Sequence, residues 1–248
     1  MQLRETLCQR IETLLEVTAE ELETAERELN RVQGEWRSAA AAPKREAEAL
    51  QKRFTTAGRR FAERKRALED EREQATLTLL RSKAALCHQA ESALHAEGAA
   101  QLPSESASSL RERWSALAAL PGEDDEARMA ARFETALALL EAPSQAAAPN
   151  EQAAASNLDT REALCLRMEI AAGIESPPEY AQARMAQQVA RLAAAFEDRG
   201  DGGDQTPEEL LHAWCLCGPA PHDRAVQLEA RFERAWLAFA GAKAPDDG

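Results

Sequence analysis

The side chains best suited to chemistry cluster in one stretch, His212-Ala213-Trp214-Cys215-Leu216-Cys217, followed shortly by His222-Asp223. Thiolate and imidazole at this density are what a zinc site needs. The spacing argues against one, because on a helix Cys215 and Cys217 point roughly 200° apart. A thiolate near a helix C-terminus is also opposed by the helix dipole, which disfavours a redox role. The four histidines (His88, His95, His212, His222) form no Ser/His/Asp constellation. Neither phosphate-binding glycine pattern occurs. The acids of Pro121-Gly-Glu-Asp-Asp-Glu126 sit where a helix begins and is favoured by negative charge. They lack the spacing of a calcium loop. No catalytic, cofactor-binding or metal-ligating residue is therefore assigned, and the chain is expected not to be an enzyme.

Charge offers a second candidate. The chain carries −13 overall, yet residues 43–66 hold nine Lys/Arg against three acids. The candidate partner-binding residues are Lys52, Arg53, Arg59, Arg60, Arg64, Lys65 and Arg66. These cations either pair with the acid-rich stretch before them, which has nine Glu and five Arg across 1–42, or face a phosphate backbone or an acidic protein. Phe54 and Phe61 belong to an apolar seam, which leaves no aromatic side chain free to stack on bases.

The elements that must position these residues carry an internal repeat. Trp36, Trp114 and Trp214 are each followed seven residues on by Pro43, Pro121 or Pro221, then by Arg53-Phe54, Arg132-Phe133 or Arg231-Phe232. An apolar residue lies four before each Trp (Val32, Leu110, Leu210), and Ala39, Leu117 or Cys217 lies three after it. The second stripe is Leu50, Phe54, Ala57, Phe61 in the first copy. It is Met129, Phe133, Ala136, Leu140 in the second and Leu228, Phe232, Ala235, Phe239 in the third. Both stripes have helical spacing. Each copy thus reads as a helix, a Pro-led turn and a second helix, closed by Trp against Phe. The Arg before each Phe flanks the seam. Its stem is expected to cover the rings, the alternative being a contact for an acidic partner.

The pattern W-x6-P-x(9–10)-RF-xx-A-xxx-[FL] resembles the bacterial domain-of-unknown-function 349 family, built from repeated helical units. The segment Ala163–Ile170, followed by Glu175-Ser-Pro-Pro-Glu179, also looks like the region before the last unit of such proteins. The resemblance implies a helical fold and names no activity.

Composition agrees with long helices, with 4% aromatic and 29% charged residues. The fold expected is all-α: an extended antiparallel helical hairpin, a coiled-coil-like arm, followed by small helical hairpin and bundle modules. Residues 1–97 form the arm in this reading. One helix covers 3–39 on an a/d seam (Ile11, Thr18, Ala25, Val32 with Leu15, Leu22, Leu29, Trp36), and a second runs from Pro43 to His95. After a break at Gly98–Ser104, residues 104–141 form the second hairpin. Residues 142–157 read as a flexible linker. A four-helix module at 158–240 is expected to have helices 160–172, 177–197 and 207–217 before the last. Capping boxes at Ser176–Glu179 and Thr206–Glu209 start two of them, and Asp201–Asp204 is a loop.

No run of apolar residues is long enough for a membrane span. The N-terminus lacks the apolar core of a signal peptide. Five scattered cysteines suit reduced thiols. The expectation is a cytoplasmic, non-catalytic helical scaffold that binds a protein partner, with no membrane contact and no cofactor. The alternative is an RNA- or ribosome-associated binder acting through 43–66. Self-association through Leu79, Leu86, Ala90 and Leu94 is a further expectation.

Overall fold

A computed structural model describes residues 2–40, 44–94, 104–142, 150–196 and 205–243. The described residues are helical and contain no strand, so the fold is all-α as expected. Internal contacts divide the chain into two units, Met1–Thr76 and Leu77–Gly248. The boundary falls inside a helix and not in the Gly98–Ser104 stretch, of which residues 98–103 lie outside the described residues together with the Asp201–Asp204 loop, and Ser104 opens a helix.

The first unit contains α1 (Gln2–Thr13), α2 (Leu22–Ser38) and the N-terminal part of α3 (Lys44–Ala93). The single helix expected over 3–39 is broken. A 3-10 turn (Leu14–Glu16) follows α1, and Val17 is extended at ψ 148°. The cause is local. Thr18-Ala-Glu-Glu21 has the T-x-x-E form of a capping box. The Glu21 carboxylate accepts hydrogen bonds from Thr18 N at 3.1 Å and Thr18 Oγ1 at 3.0 Å, so the chain restarts a helix where the heptad pattern has Thr18. The continuous coiled-coil seam is thereby replaced by three packed helices. Leu7, Cys8, Ile11, Val32, Trp36, Phe54 and Ala57 form one core. Leu14, Ala25 and Phe61 form another.

The second unit contains the rest of α3, α4 (Ser104–Ser115), α5 (Glu123–Glu141), α6 (Glu151–Ala171), α7 (Ala181–Phe196), α8 (Pro207–Leu216) and α9 (His222–Lys243). One core joins Leu77, Leu80, Leu86, Cys87 and Ala90 of α3 to Met129, Phe133, Leu164, Met168, Trp214 and Phe232. The expected modules 104–141 and 158–240 therefore share a core with residues before 97. The Leu79–Leu94 face is not free for a second copy: Leu86 and Ala90 are buried, and Leu79 packs on the same core.

The expected linker is partly helix. Asn150 Oδ1 accepts from Ala153 N at 3.0 Å and opens α6. The Ala-rich run behind it has the highest helix propensity of any residue type. The box at Thr206–Glu209 forms in both directions. The one at Ser176 does not, since Ser176 Oγ accepts from Arg184 Nη1 at 2.7 Å and a 3-10 turn (Pro178–Tyr180) precedes α7. α6 ends on Gly173 at φ 68°. There Gly173 N bonds Ile170 O and Ile174 N bonds Glu169 O, the paired bonds of a left-handed glycine stop. No described helix is long and apolar enough to cross a membrane.

Candidate functional site

Each Trp-Phe pair closes as the spacing predicts. Ring centroids lie 4.0 Å apart for Trp36–Phe54, 4.3 Å for Trp114–Phe133 and 4.1 Å for Trp214–Phe232, with interplanar angles of 14°, 9° and 10°. The Arg before each Phe does something the spacing does not predict. Arg53 donates from Nε and Nη2 to the two oxygens of Glu12, both at 2.6 Å. Arg132 holds Glu91 in the same way at 2.7 and 2.8 Å, and Arg231 holds Glu169 at 3.0 and 3.0 Å. Planar two-point pairing of this kind is a geometry that guanidinium matches and ammonium does not. The acidic partner of each Arg is thus internal to its unit.

These glutamates reveal a third helix in every copy. Each lies eight residues after a cation that sits over the copy's Trp. Arg4 is 4.8 Å from the Trp36 centroid, Lys83 is 4.4 Å from Trp114 and Arg161 is 4.7 Å from Trp214. Arg4 also donates to Ala39 O and Ala40 O, each at 3.1 Å. Arg161 donates to the equivalent carbonyls, Cys217 O and Gly218 O, also at 3.1 Å. Both thereby cap the C-terminal end of the Trp helix, where the dipole favours a cation. Lys83 instead pairs with Glu126 at 2.6 Å, and Glu126 also accepts from Leu120 N at 2.8 Å.

The sequence signal for this helix is present. Arg4-Glu-Thr-Leu-Cys-Gln-Arg-Ile-Glu12, Lys83-Ala-Ala-Leu-Cys-His-Gln-Ala-Glu91 and Arg161-Glu-Ala-Leu-Cys-Leu-Arg-Met-Glu169 align without a gap. Of the three, only the last overlaps the segment Ala163–Ile170 that carries the family resemblance, and nothing in that resemblance marks it as a repeat. Cys8, Cys87 and Cys165 occupy one position in it. Cys8 Sγ and Cys87 Sγ approach Leu50 O at 3.6 Å and Met129 O at 3.8 Å, again equivalent residues. All five cysteines are free and buried. Burial pushes the thiols of Cys87, Cys165 and Cys215 up to about 12 and raises those of Cys8 and Cys217.

The His/Cys stretch is dispersed by the fold. Cys215 and Cys217 are core residues, while His212 Nε2 lies 2.8 Å from Asp125 Oδ2 of the acidic first turn of α5. Among the described residues no group of three or more His, Cys, Asp or Glu is placed to hold a metal ion.

The basic residues divide. Arg53 is committed to Glu12, Lys65 to Glu26, and Arg64 donates to Val17 O at 3.5 Å. Among the described residues Arg59 pairs only within α3, with Glu63 at 3.6 Å. Lys52, Arg60 and Arg66 are exposed and make no ion pair among the described residues. Lys52, Arg59 and Arg66 follow at seven-residue intervals and share one face of α3.

Two of the cavities among the described residues open in the second unit. One of about 160 Å³ is lined by Arg81, Arg132 and Arg161. Each is already bound, to Glu233, Glu91 and Glu229 respectively. The other, of about 300 Å³, lies between α6, α7 and α8 and has Arg167 in its wall.

No curated protein and no solved structure matches the chain at a significant level. A family model does match, over residues 49–123. The match opens one residue before Leu50, on the RF helix of the first copy. It runs through Lys83–Glu91 and Trp114, and ends just past Pro121 of the second copy. The resemblance drawn from the Trp-Pro-RF pattern is thereby supported: residues 49–123 match the model of the family described as Domain of Unknown Function (DUF349).

Proposed function

We propose that this protein is a non-catalytic helical interaction protein that binds a macromolecular partner. The observation that supports this reading is the fate of the repeated polar residues. In all three copies the Arg, Glu and Cys side chains are spent on holding three helices together, and the outer helix faces are left as the surface for recognition. A second reading, a nucleic-acid-associated binder, is favoured by the row Lys52, Arg59 and Arg66 on α3. At 1.5 Å per residue these cations stand roughly 10 Å apart, a spacing suited to successive contacts along a phosphate backbone.

The two readings separate in one experiment. Tagged protein is used to capture partners at low and high salt, with and without nuclease, beside the variant Lys52→Glu, Arg59→Glu, Arg60→Glu, Arg66→Glu. These four positions are chosen because no ion pair to another helix is lost with them. A protein retained through salt and nuclease by both forms supports the first reading. Capture abolished by nuclease, by salt or by the charge reversal supports the second. Retention of nothing by either form sinks both.

A further inference from the structure

We propose that the cavity between α6, α7 and α8 binds a small organic carboxylate, with Arg167 as the group that holds the anion. The argument rests on the repeat. Arg10, Gln89 and Arg167 occupy one position, six residues after Arg4, Lys83 and Arg161. In the first copy Arg10 holds two carboxylates of the Trp helix. Its Nε and Nη2 reach Glu28 Oε1 at 3.0 and 2.5 Å, and its Nη1 reaches Glu35 Oε2 at 2.6 Å. In the second copy the polarity is reversed, and Gln89 Oε1 accepts from Arg113 Nη1 at 2.7 Å. Arg113 is the equivalent of Glu35, one residue before Trp.

The third copy leaves the position open. The equivalents of Glu28 and Glu35 are Thr206 and Ala213, and neither supplies a carboxylate. Arg167 makes no ion pair among the described residues. Thr206 Oγ1 is already occupied by Glu209 N, and the Glu209 carboxylate is turned back onto Thr206 N at 2.8 Å. The first turn of α8 therefore satisfies itself and offers Arg167 nothing.

The same copy carries an insertion. Arg4 to Trp36 and Lys83 to Trp114 are separated by 32 and 31 residues, whereas Arg161 to Trp214 takes 53. The added chain contains α7. From it Gln187 lines the cavity, together with Ile170 of α6 and Leu210 of α8. Gln205 adds a second amide to the lining. The volume of about 300 Å³ is at the lower end for a small-molecule site. Among the described residues its lining combines one cation, two amides and the apolar side chains of Ile170 and Leu210, with no acid. This is unusual for its surroundings, since residues 77–248 hold 27 Asp/Glu against 15 Lys/Arg. A guanidinium that meets two carboxylates in one copy and none among the described residues in another, where it lines a cavity, fits a carboxylate brought by a ligand with a short apolar body.

The test uses the full chain with its methyl groups isotopically labelled. Butyrate, isovalerate, benzoate and succinate are the probes, with inorganic phosphate as a parallel arm, each raised to about 10 mM. The expected result is a saturable shift of the Ile170 and Leu210 methyl signals with at least one carboxylate, and none with phosphate. Arg167→Gln, which removes no internal pair, should weaken that binding at least about tenfold, or roughly 1.4 kcal/mol. Ala213→Glu should do the same by restoring the internal carboxylate seen in the first copy. Saturation by none of the four carboxylates overturns the proposal. So does equal binding of phosphate, which marks a general anion site, or binding unchanged in Arg167→Gln. The outcome is independent of whether α3 captures a partner.

Discussion

Arg132 holds Glu91 through two parallel hydrogen bonds, and its remaining nitrogen donates to Cys215 O at 3.1 Å and Cys217 O at 2.8 Å. One buried guanidinium therefore ties α3 to α5 and closes the end of α8. Truncation strands a largely covered Glu91 and two carbonyls. Breaking such a pair costs about 3–5 kcal/mol. Arg132→Ala should lower the stability of the second unit by that amount in urea unfolding. Arg53→Ala removes the equivalent pair at a position nearly two-fifths exposed, and its loss should barely move the transition of the first unit.

The stacked rings supply the apolar side of the same frame. Phe232 is 2% exposed and lies flat on Trp214. Phe232→Ala leaves a cavity and should cost about 3–5 kcal/mol. Phe232→Leu, which keeps most of the volume, should cost clearly less. The comparison by chemical denaturation fails if the two variants are equal.

Thiol reactivity follows from burial. A reagent that requires thiolate should label none of the five cysteines of the native protein near neutral pH and all five after denaturation. Rapid labelling of any one in the native protein would contradict the packing described for it.

Acid should unfold the chain in a defined window. Hydrogen bonds from Arg53, Arg10 and Arg111 hold the carboxyls of Glu12, Glu28 and Glu141 below the usual range. Burial opposes the same shift at Glu126, yet the bonds from Lys83 and Leu120 N–H prevail. A carboxyl depressed in the folded state favours folding above its unfolded value, about 4.3 for Glu. That contribution disappears as pH falls through the folded values. Helicity monitored by circular dichroism in fixed urea should be level from about pH 7 to about pH 5 and fall below about pH 4.

Two glycines should respond in opposite directions. Gly173 adopts φ 68° with open space around it, so Gly173→Ala meets backbone strain alone, of about 1–2 kcal/mol. Gly34 lies inside α2 and also has open space. Gly34→Ala should stabilise by about 0.5–1 kcal/mol. Thermal unfolding of the two variants checks both signs.

Part of this fold is legible in local pattern. The Trp-Pro-RF spacing predicts the stacked pairs, and Thr206-Pro-Glu-Glu209 predicts its cap, because each depends on residues within one or two helices. The single helix over 3–39 fails for an equally local reason. Its heptad register is real on paper, but Thr18 and Glu21 offer the backbone a competing set of hydrogen bonds. The linker expected over 142–157 gives way to helix from Glu151, because the helix-breaking Pro143 and Pro149 both precede the Asn150 cap and the Ala-rich run behind it favours helix, while residues 143–149 lie outside the described residues.

The helix with a cation, then x2-Leu-Cys-x3-Glu, stands in the sequence three times (from Arg4, Lys83 and Arg161), yet periodicity around Trp does not reach it. It is separated from Trp by connections of differing length, and α7 is inserted into the third. The sequence by itself determined the all-α class, the Trp-Phe closures and the uneven charge, since helical spacing and composition act locally. Tertiary structure alone decided which carboxylate each Arg meets and which cations remain on the surface. It also decided that Arg167 faces a cavity where Arg10 faces Glu28 and Glu35. The physical reason is that burial and ion pairing depend on which helices pack together, and that is set by contacts between residues far apart in the chain.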